Sequence, residues 1–99
     1  MIHVLAIVTA KAGLRAELLA LFNANVPAVH TEDGCIEYGA VIDVPGTEPA
    51  FGPETFVVVE KWASLAALQA HAAAPHMKAY AAKARDLIEA RAIHGLQPV

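Results

Sequence analysis

Hydrophobic residues change their period several times along the chain, and each change marks an element. Residues 2 to 9 are rich in Ile and Val and run into the Lys-Ala-Gly signal at Gly13, which predicts a strand and then a turn. From Leu14 the apolar positions Leu14, Leu18, Leu21, Phe22 and Asn25/Val26 recur at three and four, the spacing of an amphipathic helix. Pro27 is expected just past its end, because an interior proline removes a helical hydrogen bond. After the polar turn Thr31-Glu-Asp-Gly34, the stretch Cys35 to Val44 is β-prone around Tyr38, Val41 and Ile42 and predicts a second strand.

Pro45, Gly46, Pro49, Gly52 and Pro53 then forbid regular structure between Pro45 and Thr55. A loop this long is either a lid or a plain surface connection. Phe56-Val-Val-Val-Glu-Lys-Trp62 alternates as a third strand, with Phe56, Val58, Glu60 and Trp62 on one face. An acid sharing a face with three apolar residues needs a partner. Ser64 suits the N-cap of a short helix reaching about Ala72, and Pro75 suits the first position of the next. On that helix Met77, Tyr80, Ala81, Ala84, Leu87 and Ile88 form an apolar stripe, while Lys78, Arg85, Asp86 and Glu89 take the other sides. The segment after Ala90 reads as a final strand ending at Pro98.

The order βαββαβ, with the second helix broken, predicts one α+β domain over residues 1–99 of the ferredoxin-like, split βαβ type. Helices cover one sheet face and leave the other open. Apolar residues within Leu5-Ala-Ile7 and Val57-Val-Val59 on an open face imply association, most simply as a homodimer.

Composition points the same way. The chain is 57% apolar, yet 22 of its 99 residues are alanines, which contribute little buried area each. A formal net charge of -3 with no run of Lys or Arg argues against nucleic acid as a partner. Cys35 stands alone, so no intrachain disulfide forms and its expected place is as a small apolar residue. The N-terminal stretch has no basic start, and its apolar run is too short to span a bilayer, so the expectation is a soluble, cytoplasmic protein with no membrane partner.

Chemically capable side chains concentrate between Glu60 and Tyr80. His71 falls near the C-terminal end of the short helix, where free carbonyls favour its charged form; His76, one residue after Pro75, falls where helix N–H groups oppose charge. That contrast suits His76 as proton acceptor, with His71 and Glu60 polarising or orienting. Each side chain also has a plain structural reading: a helix-end histidine that caps carbonyls or lies in water, and a core indole at Trp62 bonded to a buried Glu60. Tyr38 and Tyr80 bring hydroxyls to apolar surroundings. With Trp62 and Phe22 they are the candidates for lining a site. Beyond the His71/His76 pair no metal-ligand spacing occurs, and no dinucleotide or P-loop glycine motif or serine-nucleophile context is present, so neither a metal nor a bound cofactor is expected.

Five separated motifs, in order, carry a resemblance: Glu32-Asp-Gly-Cys35 with Tyr38, Glu60-Lys-Trp62, His71, Pro75-His-Met-Lys-Ala-Tyr80 and Leu96-Gln-Pro98. Together they span nearly the whole chain, and it resembles the antibiotic biosynthesis monooxygenase superfamily, most nearly its small bacterial quinol monooxygenases. The resemblance implies a dimeric α+β barrel of two ferredoxin-like subunits. It also implies oxidation of a small reduced aromatic, a quinol or anthrone, by molecular oxygen without flavin, haem or metal, with His71, His76, Glu60, Trp62 and Tyr38 as the matching side chains. A haem-degrading branch uses an asparagine on the first strand and a histidine well along the second helix, and this chain has neither. A third branch isomerises a small phosphorylated keto compound and shares the His-x-x-x-Pro-His pattern. Such a substrate wants several cations, and beyond Lys61 and Lys78 the sequence does not place them. A non-catalytic module that holds an aromatic in a stress response is the remaining alternative.

Overall fold

The computed structural model describes residues 1–99. Its elements are β1 (Ile2–Ala10), α1 (Arg15–His30), β2 (Cys35–Val41), β3 (Thr55–Trp62), α2 (Leu65–Ala73), α3 (Pro75–Ala84), one 3₁₀ turn (Arg85–Leu87) and β4 (Ile88–Leu96). The strands lie in the order β2-β3-β1-β4 with every neighbouring pair antiparallel. Each helical crossover therefore joins two parallel strands that a third strand separates, which is the ferredoxin-like arrangement expected from the order of elements.

Strand alternation sets what each sheet face carries. Val4, Ala6, Val8 and Ala10 of β1 and Phe56, Val58, Glu60 and Trp62 of β3 are all buried, on the side that α1 covers with Leu18, Phe22 and Val29. Phe22 stacks on Tyr38 at 5.3 Å and tilts against Phe56 at 5.7 Å, so one helix side chain joins two strands. The opposite face carries His3, Leu5 and Ile7 beside Val57, Val59 and Lys61, and it is open: Leu5 and Val41 are exposed. Lys61 lies there in an ion pair with Glu37 at 3.1 Å.

The final strand ends at Leu96 rather than Pro98, and three boundaries differ further from the sequence expectation. Helix α1 does not stop before Pro27 but carries it inside and continues to His30. An interior proline costs about 3 kcal/mol. The extra turn offsets this by placing Val29, which is fully buried, in the core and by bringing His30 Nε2 to 2.9 Å of the Tyr38 carbonyl. At the other end of the chain, Leu87 and Ile88 lie outside the α-helix. The α-helix gives way after Ala84, the Leu87 carbonyl accepts from Lys11 N at 2.9 Å, and Ile88 pairs with Ala10 as the first residue of β4. Both side chains still pack on the core, so the apolar pattern is kept while the backbone satisfies the sheet. Strand β2 ends at Val41, short of Val44, because Asp43 turns to accept the N–H groups of Phe51 and Gly52 at 3.0 and 2.9 Å and closes the long loop on itself.

Candidate functional site

The site is assembled where β3 ends and the helix pair begins. Trp62 is fully buried, and its Nε1–H donates to Glu60 Oε1 at 2.9 Å, two positions back on the same face. Burial pushes the Glu60 carboxyl above its ordinary range; the Trp62 hydrogen bond and the nearby His71 pull against that rise. Ser64 then starts α2 as expected, its Oγ accepting from Ala67 N at 3.1 Å. Pro75 occupies the first turn of α3 after the extended residue Ala74. The break leaves His71 in the last turn of α2, with its ring buried against Trp62 at 4.5 Å and Tyr38 at 5.3 Å.

Glu32, in the turn after α1, completes the arrangement. His71 Nδ1–H donates to Glu32 Oε2 at 2.8 Å, and His76 Nε2 lies 3.3 Å from the same oxygen. The second approach is an ion-pair distance without hydrogen-bond alignment, so His76 Nε2 has no hydrogen-bond partner although it is buried. On its other side His76 Nδ1 accepts from Asn25 Nδ2 at 3.3 Å, and the same amide lies 3.4 Å from Met77 Sδ. An ionised carboxylate can only accept. For a neutral His71 its contact with Nδ1 selects the tautomer that carries the proton there and the lone pair on Nε2.

Beside these groups a pocket of about 360 Å³ opens between the helix-facing side of the sheet and α2 and α3. Fourteen of its 18 lining residues are hydrophobic, and the charged or titratable exceptions beyond its tyrosines are Glu60, His71, Lys78 and Arg91. Among the side chains expected at a site, Glu60, His71, Tyr38, Tyr80 and Phe22 line this pocket together. Trp62 and His76 do not: the indole lies behind Glu60 and His71, and the second imidazole lies behind Glu32. Glu32 and Asn25 were not legible as site residues, since one reads as turn and the other as the last position of the helix's apolar stripe until the chain folds. Arg91 escaped notice inside an exposed edge strand.

The remaining titratable groups respond to the same burial. The Tyr38 hydroxyl is pushed well above the usual phenol range, by burial first and by Glu60 next. Burial also raises Tyr80, against a smaller downward pull from Arg91. The Cys35 thiol is raised by burial, Glu32 and Glu60, the reverse of what activates a nucleophilic thiol. No three His, Cys, Asp or Glu groups are disposed to hold a metal ion. The 45–55 loop contributes no residue to the pocket; Phe51 instead helps line a smaller cleft of about 100 Å³ beside Val41 and Asp43. No helix is long and apolar enough to cross a membrane.

Known proteins share both the sequence and the shape. The protein named probable quinol monooxygenase YgiN, of Escherichia coli K12, is 35% identical over 86 residues, covering 85% of this chain and 83% of its own. The structure of Rv0793 from Mycobacterium tuberculosis superposes with a TM-score of 0.83 at 27% identity, covering 99% of this chain and 94% of that one. PA3566 from Pseudomonas aeruginosa shares the fold with a TM-score of 0.84 at 23% identity, over 99% and 93% of the two chains. The model of the antibiotic biosynthesis monooxygenase family matches residues 1–83, and with these relatives it shows that the chain belongs to that family.

Proposed function

We propose that the protein is a cofactor-independent monooxygenase acting on a reduced aromatic, a quinol or an anthrone, with molecular oxygen as the only co-substrate. The observation that carries this reading is the Glu32–His71 contact at 2.8 Å in the wall of an apolar slot, which holds the Nδ1 proton so that a neutral ring can accept a substrate proton at Nε2. Membership of a monooxygenase family and the similarity to YgiN support it.

In this scheme His71 Nε2 takes the proton of the substrate hydroxyl, and Glu32 stabilises the imidazolium that forms. The substrate anion passes one electron to oxygen, and the radical pair joins as a carbon–oxygen bond. The resulting peroxide takes the proton back from His71. Loss of the remaining hydrogen at that carbon to Nε2 breaks the O–O bond, and hydroxide leaves with that proton as water. One oxygen atom stays on the product as a carbonyl. All four electrons that reduce oxygen come from the substrate, so the balance needs no other reductant. The apolar walls favour oxygen and shield the anion from water. His76, steadied by Asn25, stands beside Glu32, Trp62 holds Glu60, and Glu60 orients the substrate. The open sheet face is the proposed contact with a second copy.

The test is anaerobic mixing of the purified protein with menadiol or anthrone, followed by admission of ¹⁸O₂. One labelled atom in the product, one in water and loss of the enzymatic rate in His71→Asn are expected. Oxygen uptake no faster than the spontaneous rate across a panel of quinols and anthrones overturns the proposal. Oxygen-independent conversion of a phosphorylated keto compound replaces it with the isomerase reading.

A further inference from the structure

The two cations in the pocket wall have no role in the scheme above. Arg91 pairs in register with Val8, whereas Glu60 pairs with Val4. Val4 and Val8 share the helix-facing side of β1, and four residues of strand separate their rows by about 13 Å. Lys78, on α3, lines the same pocket. Neither cation has an acidic partner: the ion pairs of the chain are Lys61 with Glu37, Arg85 with Asp86, and Glu32 with the two histidines. Along the strands the pocket thus runs from Glu60 and His71 to the exposed, unpaired Arg91, with the exposed Lys78 on its helical wall. Lys61, the other cation singled out from the sequence, points to the opposite face of the sheet, so it is Arg91 that joins Lys78 here.

A neutral hydrocarbon gains nothing from a guanidinium at one end of its slot. A carboxylate gains two parallel N–H bonds from arginine. Phosphate would meet the same charges, but the hydrophobic majority of the wall calls for a flat ring system between the charged end and His71. Building on the reading of the protein as an aromatic monooxygenase, we propose that its substrates are aromatic acids: fused-ring quinols or anthrones whose oxidisable position lies against His71 and whose carboxylate, at the far end of the rings, is held by Arg91, with Lys78 adding positive charge from the helical wall.

Binding can be measured without turnover by quenching the fluorescence of Trp62, the single tryptophan of the chain. The probes are anthraquinone-2-carboxylate and the neutral anthraquinone-2-carboxamide. The carboxylate is expected to bind about tenfold or more tighter than the amide, the gain of one charge-assisted contact. Arg91→Gln should remove most of that ratio and Lys78→Gln part of it, whereas Lys61→Gln on the opposite face should leave it intact. Equal affinities for the two probes, or a ratio that survives the Arg91/Lys78 double substitution, overturn the inference. Displacement of neither probe by benzoate, with displacement by inorganic phosphate alone, overturns it in favour of a phosphorylated ligand. Oxygen uptake by wild-type protein with neutral anthrone separates the two levels. Histidine-dependent oxidation without a carboxylate preference sinks only the charge selectivity, and a carboxylate preference without oxidation of any quinol or anthrone sinks the oxygenase reading.

Discussion

Glu32 and His71, 39 positions apart in the chain, meet at 2.8 Å with the imidazole edge already held by Trp62 and Tyr38. Everything proposed for the chemistry follows from the direction of that bond. A glutamine at position 32 can turn its amide N–H toward Nδ1 and shift the ring proton to Nε2, which then has no lone pair for the substrate. Glu32→Gln is therefore predicted to lower kcat for a quinol by about 10²-fold or more with little change in KM, and Glu32→Asp by less. Unchanged kcat in Glu32→Gln, measured by oxygen uptake, would remove the acid from the mechanism.

Glu60 yields a pH-dependent prediction. Because burial raises its folded-state pKa above the ordinary 4.5, the folded protein holds that proton more tightly than the unfolded chain does. The associated stability is complete below 4.5 and is lost as pH rises through the folded value. Glutamine keeps an oxygen for the Trp62 N–H and carries no charge to bury. Glu60→Gln should thus raise Tm at pH 8, with the difference from wild type shrinking as the pH approaches 4.5. Thermal unfolding at a series of pH values checks this, and a gain that grows toward acid pH would contradict it.

What the sequence disclosed and what it hid divide along a physical line. The alternation of Phe56, Val58, Glu60 and Trp62, the Ser64 cap and the Pro75 start depend on residues within one turn or one strand, and all three appear in the fold as read. Pro27 and Leu87–Ile88 were misplaced because contacts from elsewhere outweigh local preference: core space for Val29, and pairing with Ala10 for Ile88. Helix-end placement sets both histidines beside the α2–α3 break, as the fold has them, but gives no sign of the Glu32 carboxylate between them. Glu32 reaches them because the turn after α1 is tied to the junction of β3 and α2, where Ala63 N donates to the Gly34 carbonyl at 2.8 Å.

Both tyrosines of the chain line the pocket, and both hydroxyls are raised by burial. In the unfolded chain a phenol ionises near 10, so the folded state keeps a proton that the unfolded state has lost, and stability falls as pH rises past that value. Absorbance at 295 nm should accordingly stay flat through pH 10 and then rise for both residues together with the loss of circular dichroism. An early single-residue step that precedes unfolding would show that one phenol is available as an acid in the native pocket. Tyr38→Phe should leave the neutral-pH dependence of kcat unaltered.

The open sheet face predicts a dimer that charge can split. Leu5 is exposed in a single copy, and it pairs with Val59 on one side and His94 on the other, near the middle of that face. Leu5→Glu would place an unpaired carboxylate inside a two-sheet contact, at a cost of several kcal/mol. By sedimentation the wild type should run at twice 10.4 kDa and the variant at the monomer mass with its secondary structure retained. A wild type that is monomeric at high micromolar concentration would refute the pairing.

Gly34 tests the positioning of the site from outside the pocket. It has φ +82, a left-handed conformation that glycine adopts without penalty, and a Cβ built there would stand 2.6 Å from the Ala67 Cβ on α2. Gly34→Ala thus combines backbone strain with a clash against the helix that carries His71, and about 2 to 4 kcal/mol of destabilisation is expected. Adding Ala67→Gly removes the clash but not the strain and itself costs about 1 kcal/mol in a helix. If α2 is what aligns His71 on Glu32, the double variant recovers kcat further than it recovers Tm. If kcat and Tm recover in step, the close approach of Gly34 to Ala67 serves stability alone.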